Sequence, residues 1–206
     1  MLLEHDSNLN KTFCEKIKDM LNASLTFKQN NTIYTPRVVG DLVQEQITQF
    51  INTTSYKLTE TKITKRSMAD VEFFDDEDNR LIVDIKTHCL DTEFNMPNLC
   101  STKRLYETYK TSTNFFTLLF VSYKLNENDQ PHFETIWFLP IEKLDWDCLC
   151  IGALGNGQIQ IKNSNNIVFN YNQSREEWLA GLKKHIQSFL EKEEKKILKL
   201  KKYFDI

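Results

Sequence analysis

Met68-Ala-Asp-Val-Glu-Phe-Phe-Asp-Asp-Glu-Asp-Asn-Arg-Leu-Ile-Val-Asp-Ile-Lys-Thr87 holds two apolar runs around a polar break. Val71, Phe73 and Phe74 make the first run, Leu81, Ile82, Val83 and Ile85 the second, and Asp75 to Asn79 lie between them. This pattern predicts a β-hairpin. If its turn centres on Glu77, Phe73 faces Leu81 and Asp70 faces Asp84, because antiparallel partners keep a constant sum of residue numbers. Two carboxylates then stand across from each other, an arrangement that costs stability unless a cation lies between them. A hard ion such as Mg²⁺ suits such an oxygen site. Side chains alternate along a strand, so Asp84 and Lys86 share a face.

A metal flanked by two carboxylates and a lysine suits phosphodiester hydrolysis. The ion polarises a phosphoryl oxygen and lowers the pKa of a bound water, while the lysine orients or activates that water. The competing reading is a solvated hairpin, since Asp-x-Lys is a common tripeptide and charges on hairpins usually face water.

The rest of the composition frames this site. The chain has 206 residues, 40% hydrophobic and 27% charged, and reads as one globular domain over 1–206 with ample material for a core. No signal-like apolar run opens it and none is long enough to span a bilayer, so the expected setting is the cytoplasm, with no membrane partner. Five cysteines, at 14, 89, 100, 148 and 150, lack Cys-x-x-Cys spacing and are expected as reduced, mostly packed thiols. His88 beside Cys89 could ligate metal, but adjacent strand residues face opposite ways and a local role is the better reading.

A net charge of −3 excludes a uniformly basic surface without excluding DNA binding, since local patches decide that. Lys62, Lys65 and Arg66 precede the hairpin, Lys103, Arg104 and Lys110 follow it, and lysines crowd the C-terminus; for any single cluster a solvated helix face is the commoner explanation.

Residues 10–22 and 37–52 read as amphipathic helices, the second with Val38, Val39, Leu42, Val43, Ile47 and Phe50 near helical spacing. Its Asp41, Gln44 and Glu45 could reach the metal region if the helix packs beside the hairpin, but solvent-facing polar residues are the commoner explanation. Residues 56–63 alternate as a weak strand. Pro97 suits the first turn of a helix running to about Tyr109, with Asn95 or Met96 as its cap. Phe115 to Tyr123 reads as a strand buried on both faces, and Phe133 to Leu139 as the next. Between 151 and 173, Gly152, Gly155 and Gly157 precede Gln158 and Gln160, either as a loop whose amides pair with adenine edges or as a plain polar hairpin. Ser174-Arg-Glu-Glu177 is a capping box, and Trp178, Leu182, Ile186 and Phe189 continue an apolar stripe down a helix ending near Phe204.

Together these segments resemble the PD-(D/E)xK nucleases, and within them the blunt-cutting type II restriction endonucleases of the EcoRV, HincII and SwaI kind. The resemblance rests on Ala69-Asp70, Val83-Asp84-Ile85-Lys86-Thr87, Met96-Pro97-Asn98, Gln158-Ile159-Gln160, Ser174-Arg-Glu-Glu-Trp178 and Gly40 with the acidic and amide residues after it. It departs from that pattern at Ala69, where the family has proline, and at the first-helix glutamate, for which Gln44 and Glu45 compete.

The resemblance implies an α/β fold with a central mixed sheet, flanking helices and a long C-terminal helix. It implies a homodimer that cuts double-stranded DNA at a short palindrome and leaves 5′-phosphate ends. Asp70, Asp84 and Lys86 are the implied catalytic residues. Mg²⁺ would be held by Asp70, Asp84 and the Ile85 backbone carbonyl, with Glu45 a further candidate. Asn95, Asn98, Lys103, Arg104, Ala153, Asn156, Gln158 and Gln160 are the implied DNA contacts. A structure-specific repair or junction-resolving nuclease of the same fold, and a non-catalytic DNA-binding protein, are the alternatives.

Overall fold

A computed structural model describes residues 2–29, 32–53, 57–58, 68–152 and 157–206. Lys62, Lys65, Arg66, Ala153, Asn156 and most of the strand expected over 56–63 lie outside them. The chain divides into two compact units, Met1–Asn95 with Thr108–Ile141, and Met96–Glu107 with Glu142–Ile206.

The first unit is a five-stranded mixed sheet with helices α1 (Asn8–Ala23) and α2 (Pro36–Thr53). Its strands are β1 (Lys57–Leu58), β2 (Val71–Phe74), β3 (Arg80–Cys89), β5 (Asn114–Leu125) and β6 (Pro131–Pro140), in spatial order β1-β2-β3-β5-β6. β3 and β5 run parallel and every other neighbour is antiparallel. A parallel pair needs a long crossover. Here the chain from 90 to 113 makes it, and carries within it β4 (Asn98–Ser101) and α3 (Thr102–Thr108).

Helical periodicity decides one face of the sheet. Phe13, Ile17 and Leu21 of α1, and Val39, Val43, Ile47 and Ile51 of α2, recur every four residues and all are buried. They share a core with Phe73 of β2, with Leu81, Val83 and Ile85 of β3, with Leu119 and Val121 of β5, and with Phe138 of β6. β5 is buried from Phe116 through Tyr123, so both of its faces are covered, as its unbroken apolar run predicts. The edge strand β6 is tied to α1 by amide side chains. Asn22 donates to the Phe133 carbonyl at 3.0 Å and accepts from the Phe133 N–H at 2.9 Å, and buried Asn10 donates to the Phe138 carbonyl at 2.7 Å. These amides satisfy edge groups that would otherwise be left open.

The second unit holds a three-stranded antiparallel sheet in the order β4-β8-β7, with β7 (Leu149–Gly152) and β8 (Gln158–Ile161), and the helix α4 (Arg175–Tyr203). α4 starts on the expected capping box, Ser174 accepting from the Glu177 N–H at 3.1 Å and Glu177 accepting from the Ser174 N–H at 2.8 Å. Trp178 is fully buried and donates to the Leu144 carbonyl at 3.0 Å, while Trp146 lies 4.8 Å from it, ring to ring. Gly181 lets α4 seat there: a Cβ on it would come within 2.5 Å of the Trp146 ring.

One expectation is overturned. Pro97 does not open a helix, because Asn98–Ser101 pairs with β8 and the helix begins only at Thr102. The Pro97 carbonyl accepts from the Ile161 N–H at 3.1 Å, so proline sits at a strand entrance, where its missing N–H costs nothing. Tertiary pairing outweighed the local preference. β7 and β8 pair antiparallel, as the hairpin alternative has it, with Cys150 opposite Gln160 and Ile151 opposite Ile159.

The turn that sets the β2–β3 register depends on one buried side chain. Asp75 Oδ1 accepts from the Glu77 and Asn79 N–H groups at 3.0 and 2.9 Å, and its Oδ2 accepts from Asn79 Nδ2 at 3.0 Å. Asp78 completes the turn in the left-handed region, at φ 58°. Asp75→Ala strips three donors of their acceptor and is expected to lower the unfolding free energy by about 2–3 kcal/mol. Urea denaturation measures it, and a midpoint equal to wild type would show that the turn forms without this side chain.

Candidate active site

The β2–β3 register follows the hairpin's arithmetic: Phe73 is opposite Leu81 and Val71 opposite Val83. One step further, the Asp70 N–H donates to the Val83 carbonyl at 2.9 Å, which carries Asp70 to the level of Asp84. Alternation along β3 turns Leu81, Val83 and Ile85 into the helix-covered core and leaves Asp84 and Lys86 on the opposite face. Lys86 Nζ lies 2.8 Å from Asp84 Oδ1. The aspartate and lysine therefore share a face.

Asp70 is held from two sides. Its Oδ2 accepts from the Ile85 N–H at 2.7 Å, and its Oδ1 accepts from Gln44 Nε2 of α2 at 3.0 Å. Of the two first-helix candidates, Gln44 thus meets the site, whereas Glu45 is exposed and accepts from Gln49 at 3.2 Å. Asp41 is exposed as well. α2 comes close to β3 at Gly40, where a Cβ would stand 3.3 Å from Thr87 Oγ1.

Asp84 is 6% exposed, and its Oδ2 is buried with no hydrogen-bond partner. Burial, opposed by Lys86 and reinforced by Asp70, pushes its carboxyl up to about 7. Burial raises Asp70 too, against the pull of the Ile85 N–H and Lys86. A bare, buried carboxylate oxygen with a second carboxylate beside it is what a cation would relieve, and hard oxygen donors fit Mg²⁺. Among the described residues no group of three or more His, Cys, Asp or Glu side chains gathers for a metal. Two carboxylates with water and substrate oxygens completing the shell is a usual Mg²⁺ arrangement, so the donor set fits the ion.

The other sequence candidates fall elsewhere. His88 is buried and tilts against Phe120 at 6.1 Å, in keeping with a local role. None of the five cysteines is in a disulfide, and Cys100 and Cys148 are buried. Asn95 is half-buried, and Lys103 and Arg104 are exposed on α3. Gln158 and Gln160 lie on β8, where Gln160 Nε2 donates to Asn98 Oδ1 across the β4–β8 pair. That amide pair, the Ile85–Asp70 bond and the Arg80–Glu72 ion pair at 2.6 Å were not anticipated from sequence. Each is a tertiary contact with no local signal, although the paired strands that make the first were themselves legible.

No protein-family model matches the chain, and no curated protein matches it. Among solved structures, NlaIV restriction endonuclease is similar over 83% of this chain and 78% of its own, with a TM-score of 0.51 and 11% sequence identity. The likeness is one of fold: a mixed α/β architecture of the restriction-endonuclease type, with flanking helices and a C-terminal helix.

The Asp84 environment has a measurable consequence without metal. Its folded-state value of about 7 lies above the ordinary 3.8, so between those limits the native state holds a proton that the unfolded chain has lost. Stability from this group is present at low pH and is lost as pH rises through 7. Asp84→Asn, which cannot ionise, is expected to gain stability over wild type progressively from about pH 4 to 7, and to level off above that, in the presence of a chelator. Denaturation midpoints at several pH values test this, and a difference that does not vary with pH would contradict it.

Proposed function

We propose that this protein is a type II restriction endonuclease that hydrolyses phosphodiester bonds in double-stranded DNA at a short palindromic site, with Mg²⁺, as a homodimer. The observation that carries the reading is the unsatisfied, buried Asp84 oxygen beside Asp70 and Lys86, on a fold shared with a restriction endonuclease. The proposal treats residues 1–206 as one restriction-endonuclease-like domain, akin to the EcoRV, HincII and SwaI group, working in the cytoplasm. Among the described residues no helix is long and apolar enough to cross a membrane.

Asp70 and Asp84 would hold the ion, with the Ile85 carbonyl and water as further donors. When bound, Mg²⁺ supplies polarisation of a phosphoryl oxygen and acidifies a water. Everything else falls to the chain. Gln44 and the Ile85 N–H fix the Asp70 carboxylate before substrate arrives, so little reorganisation is left for the reaction. Lys86 Nζ, anchored on Asp84 Oδ1, keeps two further N–H donors for the attacking water and the phosphate oxygens. The water oxygen bonds to phosphorus as the bond from phosphorus to the 3′ oxygen breaks; the water's proton passes to bulk solvent, the 3′ oxygen takes a proton from solvent and leaves as a hydroxyl, and the phosphate stays on the 5′ end.

Asn95, Asn98, Lys103, Arg104, Ala153, Asn156, Gln158 and Gln160 are the proposed DNA contacts. The Asn98–Gln160 pair supports a role in reading bases. With Gln160 Nε2 given to Asn98 Oδ1, Asn98 Nδ2 remains a donor and Gln160 Oε1 an acceptor, the complement of adenine N7 and N6 in the major groove. Gly152 makes room for this geometry, since a Cβ there would overlap the Gln160 amide. An A·T pair in the target follows from this assignment.

Plasmid DNA incubated with the protein and Mg²⁺ is expected to be cut at one recurring palindrome, read by sequencing the ends. Asp84→Ala and Lys86→Ala should each reduce cleavage by about 10³-fold or more while retaining DNA binding in a gel-shift assay. Cleavage that persists in both variants removes the assignment. Cutting confined to branched substrates would instead make this a structure-specific nuclease of the same fold.

A further inference from the structure

The second half of α4 carries an apolar face that the described residues leave open. Leu190, Ile197, Leu200 and Phe204 are 57, 53, 58 and 64% exposed, and no other described helix carries such a run of exposed large apolar residues. With Ile186 and Glu193 they recur at 186, 190, 193, 197, 200 and 204, alternating steps of four and three. That is the spacing of a coiled-coil seam, which keeps one stripe facing a partner helix. Glu193 is its single polar member. A groove of about 810 Å³ runs along this side of α4, lined by Ile186, Leu190, Ile197, Leu198 and Tyr106.

We infer that the seam is a self-association surface, on which α4 pairs antiparallel with α4 of a second copy of this chain. Charge selects the occupant and its direction. Residues 191–194 hold three glutamates and one lysine, and 195–202 hold five lysines. A parallel pair would set the five lysines beside the partner's five, and would bury Glu193 against its own copy. An antiparallel pair, two-fold symmetric about the level of Lys195, lays the acidic 191–194 along Lys196 and Lys199 of the partner subunit and leaves only Lys195 beside its own copy. It also brings Leu190 opposite the partner's Leu200, Ile186 opposite the partner's Phe204, and Glu193 opposite the partner's Ile197. Glu193 is already neutralised by Lys196 of its own helix, at 2.6 Å, so it enters the seam as half of an ion pair.

Area sets the strength. Each exposed seam residue offers roughly 100 Å² of bare surface; with Ile186 and the lysine stems, two copies would cover on the order of 1,000 Å² in total, the low end of specific interfaces. A dimer in the micromolar range follows. It does not depend on the chain's being a nuclease.

Sedimentation equilibrium of the full chain, without DNA or divalent cation, tests this. A monomer–dimer equilibrium is expected, with Ile197→Lys and Leu190→Lys each weakening it at least tenfold and Glu193→Leu tightening it at least tenfold. All three positions are on the open face, so the circular dichroism spectrum should not change. Direction is read by mixing Leu190→Cys and Leu200→Cys proteins under oxidation. Peptide mapping is expected to find a disulfide between the two introduced positions, and a predominance of 200-to-200 links would overturn the antiparallel pairing. A chain that stays monomeric at 200 µM, roughly a hundredfold above a micromolar constant, or a dimer indifferent to both lysine substitutions, would overturn the surface altogether.

Discussion

Everything in the first unit depends on β3 being an interior strand. It pairs antiparallel with β2 on one side and parallel with β5 on the other, so its backbone is fully committed and its side chains have only two faces to choose between. One face must take Leu81, Val83 and Ile85 into the core under α1 and α2. The period of two then forces Asp84 and Lys86 onto the other. On that face Asp84 is only 6% exposed, and its burial beside Asp70 raises its pKa to about 7. The stress on Asp84 therefore comes from strand alternation together with the burial of that face.

The neighbouring groups take on roles set by that placement. Lys86 answers one oxygen of Asp84 and leaves the other bare, while Asp70, on the irregular approach to β2, has both oxygens engaged by donors. The two carboxylates are thus unequal. Under the proposed reading, Asp84 is the carboxylate with most need of a cation and Asp70 the second donor, positioned in advance. A solvated hairpin would show neither a 6% exposed aspartate nor an unanswered oxygen, which is why the catalytic reading is preferred over the structural one.

The second unit follows a different economy of contacts. Buried Trp178 against half-buried Trp146, which also stacks on His185, anchors the first turns of α4 to the unit's three short strands, and the last buried side chain on that helix is Leu182. Beyond it the helix runs on for about six turns, over which apolar residues left exposed among the described residues keep a seam-like spacing. A helix of that length and exposure is sustained by its own i to i+4 contacts and by whatever covers the seam.

Much of this was legible in residue order because it is local or periodic. The β2–β3 register came from two apolar runs and a polar turn, the paired helices from apolar residues four apart, the start of α4 from a capping box, and the doubly covered β5 from an unbroken apolar run. The Pro97 segment was misread as a helix for the same reason, since a proline's local preference is visible and its pairing with β8 is not. Sequence also narrowed the first-helix partner to Gln44 or Glu45, two residues about 100° apart on a helix, without being able to choose. Tertiary packing chose: the rotation of α2 over β3 put Gln44 against Asp70 and turned Glu45 outward. Hairpin register, helix periodicity and capping are properties of neighbours along the chain, and the sequence alone carries them. The burial of Asp84, its bare oxygen, the Asn98–Gln160 pair and the identity of the Gln44 contact depend on distances between segments far apart in sequence, which only the folded chain brings into being.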